Sequence, residues 1–183
     1  MNQRFDDDME RMLFTPEEID HTVHRLAGEI LTQYLDKPLT IISVLTGSLL
    51  FISDLIRLLP IRLHLDFIGT SSYGDNTTSS GTITITRQLR LGVKERHVLV
   101  VDDILDTGQT LSQVVDIVRA LHPADVKTCV LLDKPSRRTV DIKPDFRGFA
   151  IPDLFVVGYG LDYAEQYRNL PYIAVLKESV YRS

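Results

Sequence analysis

At 183 residues, 44% hydrophobic and 25% charged, the chain has the make-up of one folded domain spanning 1–183, and at this length folding hides roughly 70% of the unfolded surface without help from disulfides or structural metals. A net charge of −5, with no Lys/Arg run longer than Arg137-Arg138, argues against a broad grip on nucleic acid. No apolar stretch reaches the ~20 residues that span a bilayer, the acidic start Met1-Asn-Gln-Arg-Phe-Asp-Asp-Asp8 is unlike a signal or transit peptide, and the lone Cys129 in Thr128-Cys-Val-Leu-Leu132 reads as a buried small hydrophobe, all pointing to a cytoplasmic protein without a membrane partner.

Thr15-Pro-Glu-Glu18 has the form of a capping box with Pro at the first helical position. Ile19, Val23, Leu26, Ala27, Ile30, Leu31 and Tyr34 follow at three- and four-residue steps, which predicts an amphipathic helix. The apolar run Leu39-Thr-Ile-Ile-Ser-Val-Leu45, the turn Thr46-Gly-Ser48 and a second apolar segment ended by Pro60 read as strand, tight loop and helix. Arg62-Leu-His-Leu-Asp-Phe-Ile68 alternates like a half-buried strand, and Gly81-Thr-Ile-Thr-Ile-Thr86 is β-branched. The polar connection from Gly69 to Ser80 is too long for a tight hairpin and has little to bury, so it is either a disordered tip or a lid.

His97-Val-Leu-Val-Val101 is a largely apolar strand, and Leu111, Val114, Val115, Val118 and Leu121 mark the inner face of a following helix. Lys127–Leu132, Leu154–Val157 and Tyr172–Leu176 supply three more strand candidates. Strands alternating with helices indicate an α/β fold around a doubly wound, mostly parallel sheet, in which ligands sit at the carboxyl ends of the strands.

Asp102-Asp-Ile-Leu-Asp-Thr-Gly-Gln-Thr110 falls at such an end and runs into a helix, whose free N–H groups and positive dipole end attract an anion. Gly108 permits close backbone approach, Thr107 and Thr110 offer hydroxyls, Gln109 offers an amide, and Thr107 can cap the helix. The lysine of a Walker A loop is absent. Three acids would repel a phosphate unless they bind something else. Asp102 and Asp103 suit the vicinal hydroxyls of a ribose, directly or through Mg²⁺, and Asp106 suits proton transfer at whatever the anomeric carbon carries. The combination points to a ribose 5-phosphate.

Val98-Leu-Val-Val-Asp-Asp-Ile-Leu-Asp-Thr-Gly-Gln-Thr110 resembles the phosphoribosyl-diphosphate signature of type I phosphoribosyltransferases. Val44-Leu-Thr-Gly-Ser48, Ser71-Ser-Tyr73, Leu131-Leu-Asp-Lys-Pro-Ser-Arg-Arg138, Gly148-Phe-Ala-Ile-Pro-Asp153 and Phe155-Val-Val-Gly-Tyr-Gly-Leu-Asp-Tyr163 are similar to segments of its hypoxanthine-guanine branch, in the same order. The resemblance implies a mostly parallel twisted sheet flanked by helices, with a small hood and a mobile β-loop. It implies Mg²⁺-dependent joining of hypoxanthine or guanine to phosphoribosyl diphosphate, giving IMP or GMP and pyrophosphate, by a homodimer or homotetramer.

Residue by residue, the resemblance implies that Asp102 and Asp103 hold the ribose hydroxyls and metal. Ile104 lines the site, and Asp106, Thr107, Gly108, Gln109 and Thr110 form the phosphate loop. Asp106 also faces purine N7 as general acid or base. Leu45, Thr46 and Gly47 would meet pyrophosphate through backbone amides, and Ser72 and Tyr73 belong to a closing loop. Lys134 would donate to the 6-oxo group, Phe155 would stack on the base and the Val156 backbone would read its edge. Asp162 would ligate a second Mg²⁺, and Arg168 would contact pyrophosphate. Relatives often carry a basic residue where this chain has Thr46, and Glu where it has Asp102. His21, His24, His64, His97 and His122 show no ligand spacing with Cys and are read as structural or exposed.

Two other classes compete. An RNA-binding regulator of the same fold would need a basic face, for which Arg87, Arg90, Lys94 and Arg96 are the only modest cluster. A phospho-acceptor signalling domain would explain the acidic pair after a strand, but Val98 to Ser183 is short for that fold and Asp106-Thr-Gly108 has no role in it.

Overall fold

The computed structural model describes residues 7–71 and 84–182. The capping box forms as its spacing predicts: Thr15 Oγ1 accepts from the Glu18 N–H at 3.2 Å, and the Thr15 N–H donates to Glu18 Oε2 at 2.8 Å. It opens helix α1 (Pro16–Tyr34), whose Ile19, Val23, Leu26 and Ile30 are buried. Strand β1 (Met9–Phe14) precedes it. The chain then alternates through β2 (Leu39–Leu45), α2 (Leu49–Arg57), β3 (Leu63–Ser71), β4 (Thr84–Arg87), β5 (His97–Leu105), α3 (Gln109–Arg119) and β6 (Asp125–Asp133). It closes with β7 (Phe146–Ala150), β8 (Val156–Val157), β9 (Ile173–Leu176) and a short helix α4 (Glu178–Tyr181).

Six strands form the main sheet in the order β4-β3-β2-β5-β6-β7, parallel except for β4 at one edge. Side chains alternate across it. Leu39, Ile41, Leu99, Val101, Cys129 and Leu131 share a core with α1 and α2. Ile42, Val44, Val98, Val100 and Val130 share the opposite core with Leu111, Val114, Val115 and Val118 of α3. Cover on both faces is why these strands read as unbroken apolar runs.

Two of the three late strand candidates do not extend this sheet. β8 and β9 instead join β1 in a separate antiparallel sheet of order β1-β9-β8, with its own core of Met9, Val157, Tyr167, Leu170, Ala174 and Leu176. β8 stops after two residues because Gly158, Tyr159 and Gly160 follow at φ of +98°, +50° and +101° and reverse the chain. The predicted helix face also overshoots, since Leu121 lies beyond α3 and is exposed. Two of the four basic residues near 90 are taken up by the fold. Arg96 donates to Thr40 Oγ1 at 2.6 Å and to the Leu39 carbonyl at 2.9 Å, and Arg87 pairs with Asp66 at 3.7 Å.

From β2 the chain steps to β3 on one side and later returns to β5 on the other. The order therefore reverses between β2 and β5, and a crevice opens at their carboxyl ends.

Candidate active site

β5 runs farther than its apolar stretch predicts. Asp102, Ile104 and Leu105 still pair with Val130, Leu132 and Asp133 of β6, so the first acids are strand residues held by a ladder and only Asp106 starts the loop. Gly108 then caps α3 at φ +88° without any side-chain hydrogen bond. A Cβ there would lie 2.7 Å from Ile142 Cγ2 and 2.8 Å from Val140 Cγ2, so crowding as well as φ demands glycine. Thr107 is not the helix cap expected of it. It sits one residue early, and its hydroxyl accepts the Gln109 N–H only at 3.4 Å. A helix start without a side-chain cap is suited to an anion, and it opens on a cavity of about 580 Å³ lined by Thr107, Gly108 and Thr110.

The loop after β2 forms the facing wall with Leu45, Thr46 and Gly47. The Ser43 and Ser48 hydroxyls, 2.7 Å apart, and a bond from Ser48 to the Val44 carbonyl tie this loop to its strand. The Leu45-Thr46 peptide is cis. Gly47 leaves space that Asp103 fills, since a Cβ would stand 1.7 Å from Asp103 Oδ2. On its other side Gly160 packs so closely that a Cβ there would lie 2.0 Å from the Gly47 carbonyl oxygen.

Asp102 is buried, with Oδ1 accepting the Asp103 N–H at 3.0 Å, and Asp103 Oδ1 accepts the Ile104 N–H at 2.8 Å. Burial pushes the Asp102 carboxyl well above the usual carboxylate range, and the adjacent Asp103 adds to this. Burial raises Asp103 as well, partly offset by hydrogen bonds and by Arg168. Two desolvated carboxyls side by side suit a cation or hydroxyl donors. Two carboxylates are a donor set that a hard cation such as magnesium accepts, with most of its shell left to other oxygens.

Asp103, Ile104, Asp106 and Asp162 also line a second cavity of about 520 Å³, together with Lys134, Phe155 and Val156. Lys134 is buried, unlike an ordinary solvated strand end. Its Nζ lies 3.5 Å from Asp106 Oδ2, while Arg137 Nε donates to Asp106 Oδ1 at 3.1 Å. Arg138 braces the same loop from behind, donating to the Leu105 carbonyl at 2.9 Å, to the Asp106 carbonyl and to Asp133. Arg168 lines the first cavity, pairs with Asp162 at 2.9 Å and donates to the Gly160 carbonyl at 2.9 Å.

The structure thus gathers the predicted residues around two adjoining cavities, with three qualifications. Gln109 lines neither. Ser72 and Tyr73 lie outside the described residues. Asp162 and Arg168 neutralise each other. Sequence reasoning missed Arg137, Glu165 and Tyr181, which line these cavities. Arg137 lies inside the segment Leu131–Arg138 that resembles the family, whereas Tyr181 has no local signal.

A family profile described as "Phosphoribosyl transferase domain" matches residues 13–164. Over 176 residues the chain is 49% identical to a hypoxanthine-guanine phosphoribosyltransferase of Bacillus subtilis, covering 96% of this chain and 98% of that one. It is 43% identical, with the same coverage, to one of Streptococcus pneumoniae. A crystal structure of a hypoxanthine phosphoribosyltransferase from Staphylococcus aureus superposes with a TM-score of 0.94 at 41% identity, over 99% of this chain and 98% of that one. Matched along nearly its whole length, the chain belongs to the phosphoribosyltransferase family, in its hypoxanthine-guanine branch.

Proposed function

We propose that this protein is a purine-salvage enzyme that transfers the 5-phosphoribosyl group of phosphoribosyl diphosphate to N9 of hypoxanthine or guanine, giving IMP or GMP and pyrophosphate. The observation that carries the reading is the junction of the two cavities at Asp103, Ile104 and Asp106. A sugar anchored at α3 and a base held near Lys134 would meet there.

The 5-phosphate sits at the α3 start, accepting from backbone N–H groups and from the hydroxyls of Thr107 and Thr110. Asp102 and Asp103 accept from the ribose hydroxyls, and with Asp162 they are the residues that would hold Mg²⁺. When bound, that ion offsets the charge that gathers on departing pyrophosphate. Backbone amides at Leu45, Thr46 and Gly47 and the Arg168 guanidinium contact the pyrophosphate. As its bond to C1 of the ribose breaks and N9 bonds to the same carbon, Asp106 accepts the purine proton at N7.

Lys134 donates to the 6-oxo group. An adenine amino group would set donor against donor in a buried site, which gives strong discrimination. Phe155 stacks on the base and the Val156 backbone reads its edge. We place the enzyme in the cytoplasm, a reducing compartment that suits a chain whose single cysteine, Cys129, is free, and as a homodimer or homotetramer of one-domain chains.

The test is a magnesium-dependent assay of purified protein with each purine, beside Asp106→Asn. Hypoxanthine or guanine should turn over and adenine barely. The variant should lose about 10²- to 10⁴-fold in kcat, the usual worth of a general acid or base. An equally fast variant would remove Asp106 from the chemistry, and no turnover with either 6-oxopurine would sink the assignment. Light scattering measures the assembly.

A further inference from the structure

We propose that Tyr181 is a positioning residue for purine binding and that the carboxyl-terminal helix is part of the substrate site, a role that rests on reading Phe155 as the stacking ring. Phe155 lies between Pro152 and β8, in a connection rather than in regular structure, and is 37% exposed. Tyr181 covers one face of its ring, with centroids 4.4 Å apart and planes at 17°. Tyr163 meets that ring edge-on at 5.7 Å and 85°, and meets Tyr181 at 6.5 Å and 68°. The Arg182 guanidinium lies 5.9 Å from the Tyr181 centroid.

A half-exposed phenyl ring on a connecting segment would otherwise sample several rotamers, and ordering it on binding consumes affinity. Tyr181 and Tyr163 hold it in one orientation beforehand, while its exposure leaves surface for a base. Tyr181 lines the same cavity as Lys134 and Asp106, and about 520 Å³ stays open beside the tyrosine, room for a base. The helix is itself anchored across the termini: the Lys177 N–H donates to the Asp8 carbonyl at 3.0 Å and its Nζ to the Asp7 carbonyl at 2.6 Å.

Steady-state kinetics on the full chain test this, with Tyr181→Ala, Tyr181→Phe and Phe155→Ala side by side and thermal melts to verify folding. Tyr181→Ala should raise the hypoxanthine KM about 5- to 10-fold, the size of one aromatic pair. Its kcat and its KM for phosphoribosyl diphosphate should stay within about twofold, and Tyr181→Phe, which keeps the ring, should restore the KM. An unchanged hypoxanthine KM in Tyr181→Ala overturns the proposal, and a lowered one overturns it by making the ring an obstruction. If Phe155→Ala raises the KM and Tyr181→Ala does not, only the role of Tyr181 fails. If Phe155→Ala itself leaves the KM unchanged, the stacking assignment fails and the proposal falls with it.

Discussion

A methyl group on Gly47 would have to occupy space that the Asp103 carboxylate already holds, 1.7 Å from its Oδ2. One of the two must move, and misplacement by about 1 Å can cost 10²-fold in rate. Gly47→Ala should therefore lose about 100-fold in kcat/KM for phosphoribosyl diphosphate while its far-ultraviolet circular dichroism stays as in the parent. Wild-type kcat/KM would mean that the loop yields freely. At this scale the carboxylates and the glycine of Asp102–Thr110 were legible, because a short string carries both the acids and the turn into a helix. The burial of Lys134 was not legible, since it depends on β6 reaching the same cleft as the loop after β5. Nor was the pairing of Arg137 with Asp106, which spans 31 positions.

Among the elements, β3 owes its link to the segment after β4 to one buried acid. Asp66 Oδ2 accepts the N–H groups of Arg90 and Leu91 at 2.6 and 2.8 Å, and Oδ1 accepts that of Phe67 at 2.8 Å. Burial alone would push this carboxyl up, but the three backbone donors and nearby Arg87 outweigh it and hold it below the usual value. A folded-state value below the unfolded one, about 4, gives stability that is present above that pH and lost as pH falls through the folded-state value. Asp66→Asn should cost roughly 2 kcal/mol at pH 7, a fall in Tm of about 5 °C. The gap from wild type should close in melts at progressively lower pH, and a gap independent of pH would contradict this account. Helix α1 was legible down to its capping box because propensity, cap and periodicity coincide. β1 and β7 were not: Met9–Phe14 shows no alternation, with Met9 buried and Glu10, Arg11 and Met12 all exposed, and Phe146–Ala150 is a short edge strand.

Taken whole, the molecule joins a mostly parallel sheet, legible from its apolar runs, to a smaller antiparallel sheet; two of its strands were legible and the resemblance implied a small hood, but the strand pairing was not legible. The smaller one pairs Met9 with Leu176, and no local pattern announces a partner almost the full chain away. The first cavity takes Asp102–Gly108 and Leu45–Gly47 from the main sheet and its loops, and Asp162 and Arg168 from the connection between β8 and β9 of the smaller one. A ligand bridging them binds only the folded state, so phosphoribosyl diphosphate with Mg²⁺ at ~100 times its Kd should add about 2.7 kcal/mol. For a chain of this size that is a rise in Tm of roughly 5–10 °C. Scanning calorimetry with and without a chelator checks it, and an unmoved Tm under both conditions would refute binding at this seam.

The Gly47 carbonyl oxygen lies where a side chain at 160 would begin, so one steric constraint binds the two positions. Any side chain at 160 would run into the Gly47 carbonyl oxygen, 2.0 Å from its Cβ, and disturb the loop that packs on Asp103, although 160 lines neither cavity. Deep mutational scanning for growth on hypoxanthine should score 160 as intolerant as 47, a blemish transmitted through two bare backbones.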